Sequence, residues 1–259
     1  MHFSVLGSTE VTEDNTPLEL GGIRQRAILG YLILNANKVV PTSQLLHAIW
    51  DGNPPPTARK MIQNAVSAIR RTLNANTDPT TTPTLHTYAP GYQLRIDTET
   101  IDLYRFRRLV REGRQAIATN NPAHAAELLY QGLSLWRGRA LADLVETGIT
   151  WSELTAIEDE RLSAIEDRLE AELACGRHRE ITPELEILTA AEPMRERLCH
   201  QFMLALYRSG RQVDALRVYR RTREALVDGL GLEPGRSLQE LQHRILEHDT
   251  KIQIPALAG

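Results

Sequence analysis

Residues 54–73 read "PPPTARKMIQNAVSAIRRTL". Three consecutive prolines run into a segment where Ala58, Ile62, Ala65, Ile69 and Leu73 step by four, three, four and four residues. That spacing predicts one buried face of a helix, with Thr57 in place to cap it. The other positions carry Lys60, Gln63, Asn64, Ser67, Arg70 and Arg71. Residues 52–77 hold 4 basic side chains and no acid, in a chain whose formal net charge is -3. A helix surface of Lys, Gln, Asn, Ser and Arg has the groups that hydrogen-bond base edges in a major groove. A carboxylate on that surface would meet phosphate repulsion. The plain alternative is a solvated helix whose lack of acids is chance, and the flanking sequence weighs against it.

Upstream, "HFSVLG", "TEVTED" and "PLEL" read as short strands separated by polar and turn residues. The stretch "GGIRQRAILGYLILNANKVV" repeats Ile23, Ala27, Tyr31 and Leu34 at helical spacing. Pro41-Thr42 opens a second helix, "SQLLHAIW", with Thr42 or Ser43 as its N-cap. Downstream of the quoted helix, the polar loop "NANTDPTTTPT" leads to "LHTYAPGYQLRID". There Pro90-Gly91 makes a turn, and Tyr92, Leu94 and Ile96 alternate with Gln93 and Arg95. A small sheet, three short helices and a terminal hairpin follow the order of a winged helix. The quoted segment is then its recognition helix, and the hairpin bearing Arg95 lies beside it over the DNA backbone or minor groove.

From residue 98 strand signals stop and helical segments succeed one another to about residue 248. Two of their ends match, "AELACGR" and "LALYRSGR", with Gly176 and Gly210 34 residues apart, the tetratricopeptide period. Stacked helix pairs of that kind give a concave, protein-binding surface. The fold expected is mainly α with a small β component: a winged helix-turn-helix over residues 1–97, then an all-α, TPR-like helical domain over 98–259. Charge divides in the same way. Residues 1–95 hold 8 Lys/Arg against 6 Asp/Glu, and residues 96–259 hold 22 against 27.

Composition excludes several classes. With 42% hydrophobic and 24% charged residues, the chain has the make-up of a globular protein, not a disordered one. Two cysteines supply no disulfide framework. The N-terminus lacks the basic start and apolar core of a secretory signal, and no apolar run approaches a membrane span, so a cytoplasmic, nucleoid-associated protein is expected. Cys175, His178, Cys199 and His200 do not form a metal-ligand pattern, because adjacent Cys199 and His200 diverge by about 100° on a helix. No nucleophile elbow, dinucleotide fingerprint or paired-carboxylate arrangement stands out, so neither catalytic residues, nor a metal, nor a cofactor are assigned.

Several collinear segments carry a resemblance. "GGIRQRAILGYLILNANKVVPTSQLLHAIW", "PPPTARKMIQNAVSAIRRTL" and "APGYQLRIDTETIDLYRFRRLVREGR" resemble the Streptomyces antibiotic regulatory proteins. That family joins an OmpR-type winged helix to a bacterial transcriptional activation domain. "YQGLSLWRGRALADL", "ALYRSGRQVDALRVYRRTREAL" and "LGLEPGRSLQELQHRIL" match the activation domain in order. The resemblance implies an activator of a biosynthetic gene cluster for an antibiotic or other secondary metabolite. It further implies binding to direct repeats in double-stranded promoter DNA, as a homodimer or tandem protomers, and recruitment of RNA polymerase through its sigma factor. Carried over residue by residue, the DNA-binding positions are Lys60, Gln63, Asn64, Ser67, Arg70 and Arg71, with Arg95 on the wing. Many members have an arginine after the "VS" pair where this chain has Ala68. The loop Asp51, Gly52, Asn53, Pro54 falls where OmpR-like proteins touch polymerase; its plain alternative is a stiff turn. No nucleotide-binding loop is present, so a small member without an ATPase extension is expected. The competing reading is a TPR-like interaction module whose winged helix docks protein instead of DNA.

Overall fold

The N-terminal alternation forms a three-stranded antiparallel sheet of β1 (His2–Ser4), β2 (Glu10–Glu13) and β3 (Thr16–Pro17). Phe3 pairs with Val11, and both side chains are buried. The third strand is shorter than "PLEL" implied and starts earlier, although the Leu18 amide still donates to the Val11 carbonyl at 2.9 Å. The computed structural model describes residues 1–73 and 83–252; the polar loop expected at 74–84 falls largely outside them.

Helix α1 (Ile23–Leu34) is buried from Ala27 through Ile33, and an apolar surface on all sides makes a helix central to a core. The helical pattern stops at Leu34; Val39 and Val40 belong instead to β4 (Val39–Pro41). Helices α2 (Thr42–Trp50) and α3 (Ala58–Leu73) follow, then β5 (Thr84–Tyr88) and β6 (Gly91–Arg95). These strands make a second antiparallel sheet in the order β4-β6-β5. In β6 and just beyond it, Tyr92, Leu94 and Ile96 turn inward, as their alternation implied. Gly91 is required by close approach, because a Cβ built there would stand 1.9 Å from the Val40 carbonyl oxygen.

The chain packs as two compact units. The first comprises Met1–Arg111 and Gln131–Leu162. The second comprises Glu112–Tyr130 and Ser163–Gly259. The boundaries fall inside α4 (Asp102–Ala118), α5 (Pro122–Leu133) and, after the short α6 (Ala142–Val145), α7 (Ser152–Ala174). Within the first unit the segment 131–162 is stitched to the winged helix. The amides of Leu141 and Ala142 donate to the Val5 and Gly7 carbonyls, and the Trp151 indole N–H donates to Ala48 O at 2.9 Å. Asp102 is buried and accepts the amides of Val5, Leu6 and Leu103 at 2.8–3.0 Å. Burial pushes its carboxyl above the usual range, against the pull of those amides.

The second unit is built on α8 (His178–Ala191), α9 (Glu196–Arg208), α10 (Gln212–Leu230) and α11 (Arg236–Leu246). Leu185, Leu198, Phe202, Met203, Leu206 and Leu241 lie in its core. Gly176 and Gly210, the 34-residue pair, each sit at a helix-to-helix turn with φ of 81° and 77°. Glycine adopts that left-handed conformation without a Cβ penalty, so the repeat in the sequence is a repeat of turns. Buried Glu166 and Asp167 are neutralised by arginines: Arg195 meets Glu166 at 2.7 Å, and Arg114 and Arg197 meet Asp167 at 2.6 and 2.7 Å.

Candidate nucleic-acid interface

At about 100° per residue, Ala58, Ile62, Val66, Ile69 and Leu73 of α3 converge on one buried line. Val66 completes that line where the spacing alone pointed to Ala65, which is half-buried on the flank facing α1. The ridge opposite is Lys60, Asn64, Ser67 and Arg71, at steps of four, three and four, and all four are exposed. The Ser67 hydroxyl donates to the Gln63 carbonyl at 2.9 Å, which leaves its oxygen free to accept. Gln63 and Arg59 are exposed too. Among the described residues, Arg59, Lys60 and Arg71 have no ion-pair partner, and α3 itself contains no carboxylate. The ridge therefore presents uncompensated positive charge interleaved with amide and hydroxyl groups, which is what a polyanion with hydrogen-bonding edges requires.

Arg70 is placed differently from Arg71. Its Nε donates to the Leu85 carbonyl and its Nη2 to Thr87 Oγ1, both at 2.7 Å. Its guanidinium fork is thus spent on β5. Arg95 stays on the surface of the hairpin. It donates to the Tyr88 hydroxyl at 2.6 Å and to Gln93 Oε1 at 3.1 Å, and its guanidinium lies 5.5 Å from the Tyr88 ring centre. From the other side, the Thr42 amide and hydroxyl both donate to the Pro90 carbonyl, at 3.1 and 3.0 Å. Thr42 is the first residue of α2, and its hydroxyl holds the wing turn instead of capping the helix. The hairpin is pinned by α2 and α3 alike, so ridge and wing keep a set spacing.

The structure adds features that sequence reading missed. Arg24, at the start of α1, lies over the Trp50 ring at 5.9 Å. Beside it an apolar groove of about 480 Å³ runs along α3, lined by Ile23, Ile28, Trp50, Met61 and Ala65. The "GGIRQR" start of α1 hinted at a basic contribution, but the groove exists only once α1, α2 and α3 are brought together. Asp51, Gly52, Asn53 and Pro54 are exposed. Asp51 and Gly52 both have positive φ, 46° and 83°, and the Asn53 amide returns to the Trp50 carbonyl at 2.9 Å. The loop is thus a tight, internally bonded turn before the prolines.

Two family descriptions match the chain: "Transcriptional regulatory protein, C terminal" over residues 16–94 and "Bacterial transcriptional activator domain" over residues 101–246. The regulatory protein DnrI of Streptomyces peucetius is 36% identical across 100% of this chain and 98% of its own length. The transcriptional regulator RedD of Streptomyces coelicolor is 34% identical over 99% of this chain and 73% of its own. The transcriptional regulatory protein EmbR of Mycobacterium tuberculosis is 39% identical over 95% of this chain, which spans 63% of EmbR. A solved structure of EmbR in complex with a low affinity phosphopeptide superposes with a TM-score of 0.90 at 38% identity, covering 98% of this chain and 66% of that one. Among the described residues no helix is long and apolar enough to cross a membrane.

Proposed function

The chain belongs to the Streptomyces antibiotic regulatory protein family of transcriptional regulators, and from that premise we propose that it activates a biosynthetic gene cluster by binding double-stranded promoter DNA. The observation that carries the reading is the exposed ridge Lys60, Asn64, Ser67, Arg71 on a helix without a carboxylate. In this reading residues 1–97 bind DNA and residues 98–259 form the activation domain. Lys60 and Arg71 meet phosphates or guanines, Gln63 and Asn64 read base edges, and Arg95 follows the backbone from the wing. Arg70 serves by holding that wing. Tandem protomers occupy direct repeats about one helical turn apart. The Asp51–Pro54 turn and the helical domain meet RNA polymerase at its sigma factor.

The test is a salt titration of the full chain on DNA from the promoters beside its gene, read by fluorescence anisotropy, with footprinting of the bound fragment. Phosphate contacts give a log–log slope of roughly -0.9 for each phosphate neutralised. Protected segments should repeat at about 10–11 base pairs, in the same orientation. Absence of duplex binding even at low salt would reject the reading.

A further inference from the structure

Away from α3, a cavity of about 300 Å³ opens within the first unit between α2 and residues 148–153. Its apolar wall is formed by Ala48, Ile49, Ile149 and the buried Trp151. Two of its strong donors are already spent. The Tyr31 hydroxyl donates to Glu153 Oε1 at 3.1 Å while accepting from Gln44 Nε2 at 2.8 Å, and the Trp151 indole N–H is held by the Ala48 carbonyl. Two carboxylates, Asp51 and Glu153, line the hollow. Neither has an ion-pair partner among the described residues, and no lysine or arginine is part of the lining, although His47 is, and Glu153 also accepts from the Ser152 hydroxyl at 3.3 Å. Burial, and after it the charge of Glu153, push the Tyr31 hydroxyl up against the opposing Gln44 hydrogen bond.

An apolar wall under two carboxylates that have no ion-pair partner accepts a ligand that brings its own positive charge and N–H donors. An anion would meet the repulsion of both carboxylates. We infer that this cavity is a binding site for a small organic amine, its ammonium group at Asp51 and Glu153 and its apolar body against Ile149 and Trp151. The volume sits at the lower end of the range for ligand pockets, so the occupant is of single-ring size. Bound there, an amine bridges α2 to the segment that braces it.

Tyramine is a suitable probe, and the readout is the indole N–H signal of Trp151 in the full ¹⁵N-tryptophan-labelled chain, which has three tryptophans. Tyramine should shift the Trp151 signal saturably and leave those of Trp50 and Trp136 in place. Its anionic counterpart, 4-hydroxyphenylacetate, should leave all three unmoved. Glu153→Gln keeps an acceptor for Tyr31 yet should weaken tyramine binding by about fivefold or more. Thr150→Arg, at an exposed position in the rim, should weaken it comparably without disturbing the fold. Three results overturn the assignment: an unmoved Trp151 signal, an equal response to the anion, or both variants binding tyramine as tightly as the parent chain.

Discussion

Arg70 on α3 and Leu85 on β5 are joined by a 2.7 Å hydrogen bond from guanidinium Nε to the backbone carbonyl, and the same side chain reaches Thr87 Oγ1. Helix α3 and the β5–β6 hairpin are therefore tied directly to each other. Arg71, one residue later, is exposed and points outward. Adjacent arginines that look equivalent in the sequence have different surroundings.

The difference shows in lysine variants. Arg71→Ala and Arg70→Ala should each weaken promoter binding by about 1–3 kcal/mol. Arg71→Lys should recover much of the loss where the contact is a phosphate. Arg70→Lys should recover little, because a single ammonium does not reproduce a fork held on a carbonyl and a hydroxyl at once. Anisotropy titrations of the four variants decide this, and full recovery by Arg70→Lys would return Arg70 to the phosphate contacts.

Gly91→Ala should be severe. The new methyl group would overlap the Val40 carbonyl oxygen and the Pro41 Cα, which are backbone atoms without freedom to move aside. Loss of the β4–β6 pairing, on the scale of core overpacking, should cost at least about 2 kcal/mol in denaturant unfolding. Gly52→Ala, where a Cβ meets nothing within 4 Å, leaves that sheet alone and carries only the strain of a positive φ.

Asp102→Asn tests the buried carboxyl that holds Val5 and Leu6. Because burial raises its folded-state pKa, the native chain keeps, at pH between the ordinary and the raised value, a proton that the unfolded chain has already released. The contribution of this group is thus full below the ordinary carboxylate pKa and is lost as pH rises through the raised value. Relative to the parent, the Asn variant should gain stability as pH climbs from about 4 towards 7. Thermal unfolding across that range checks the sign, and a relative loss would show that the amide hydrogen bonds outweigh burial.

Glu166→Ala should destabilise the second unit by about 3 kcal/mol, since it removes the buried carboxylate that Arg195 meets at 2.7 Å. Glu240→Ala removes an exposed pair with Arg236 and should change stability by less than about 0.5 kcal/mol. Equal shifts in the two midpoints would mean that burial does not govern these ion pairs.

How much of this was open to a reader of the sequence depends on the range of the interaction. The bounds of α3, the inward alternation of Tyr92, Leu94 and Ile96, and the glycine turns at Gly176 and Gly210 are local consequences of periodicity and backbone preference, and the sequence alone determined them. So did the absence of acids from α3. Sequence spacing could not separate Ala65 from Val66 on the buried line, because both lie within the same arc until α1 and the hairpin take their sides. The tie of Arg70 to Leu85, the reach of Asp102 to Val5 across 97 residues, and the hollow between α2 and Trp151 were decided only by tertiary structure. Each depends on where distant backbone groups come to rest, and a one-dimensional pattern holds no record of that distance.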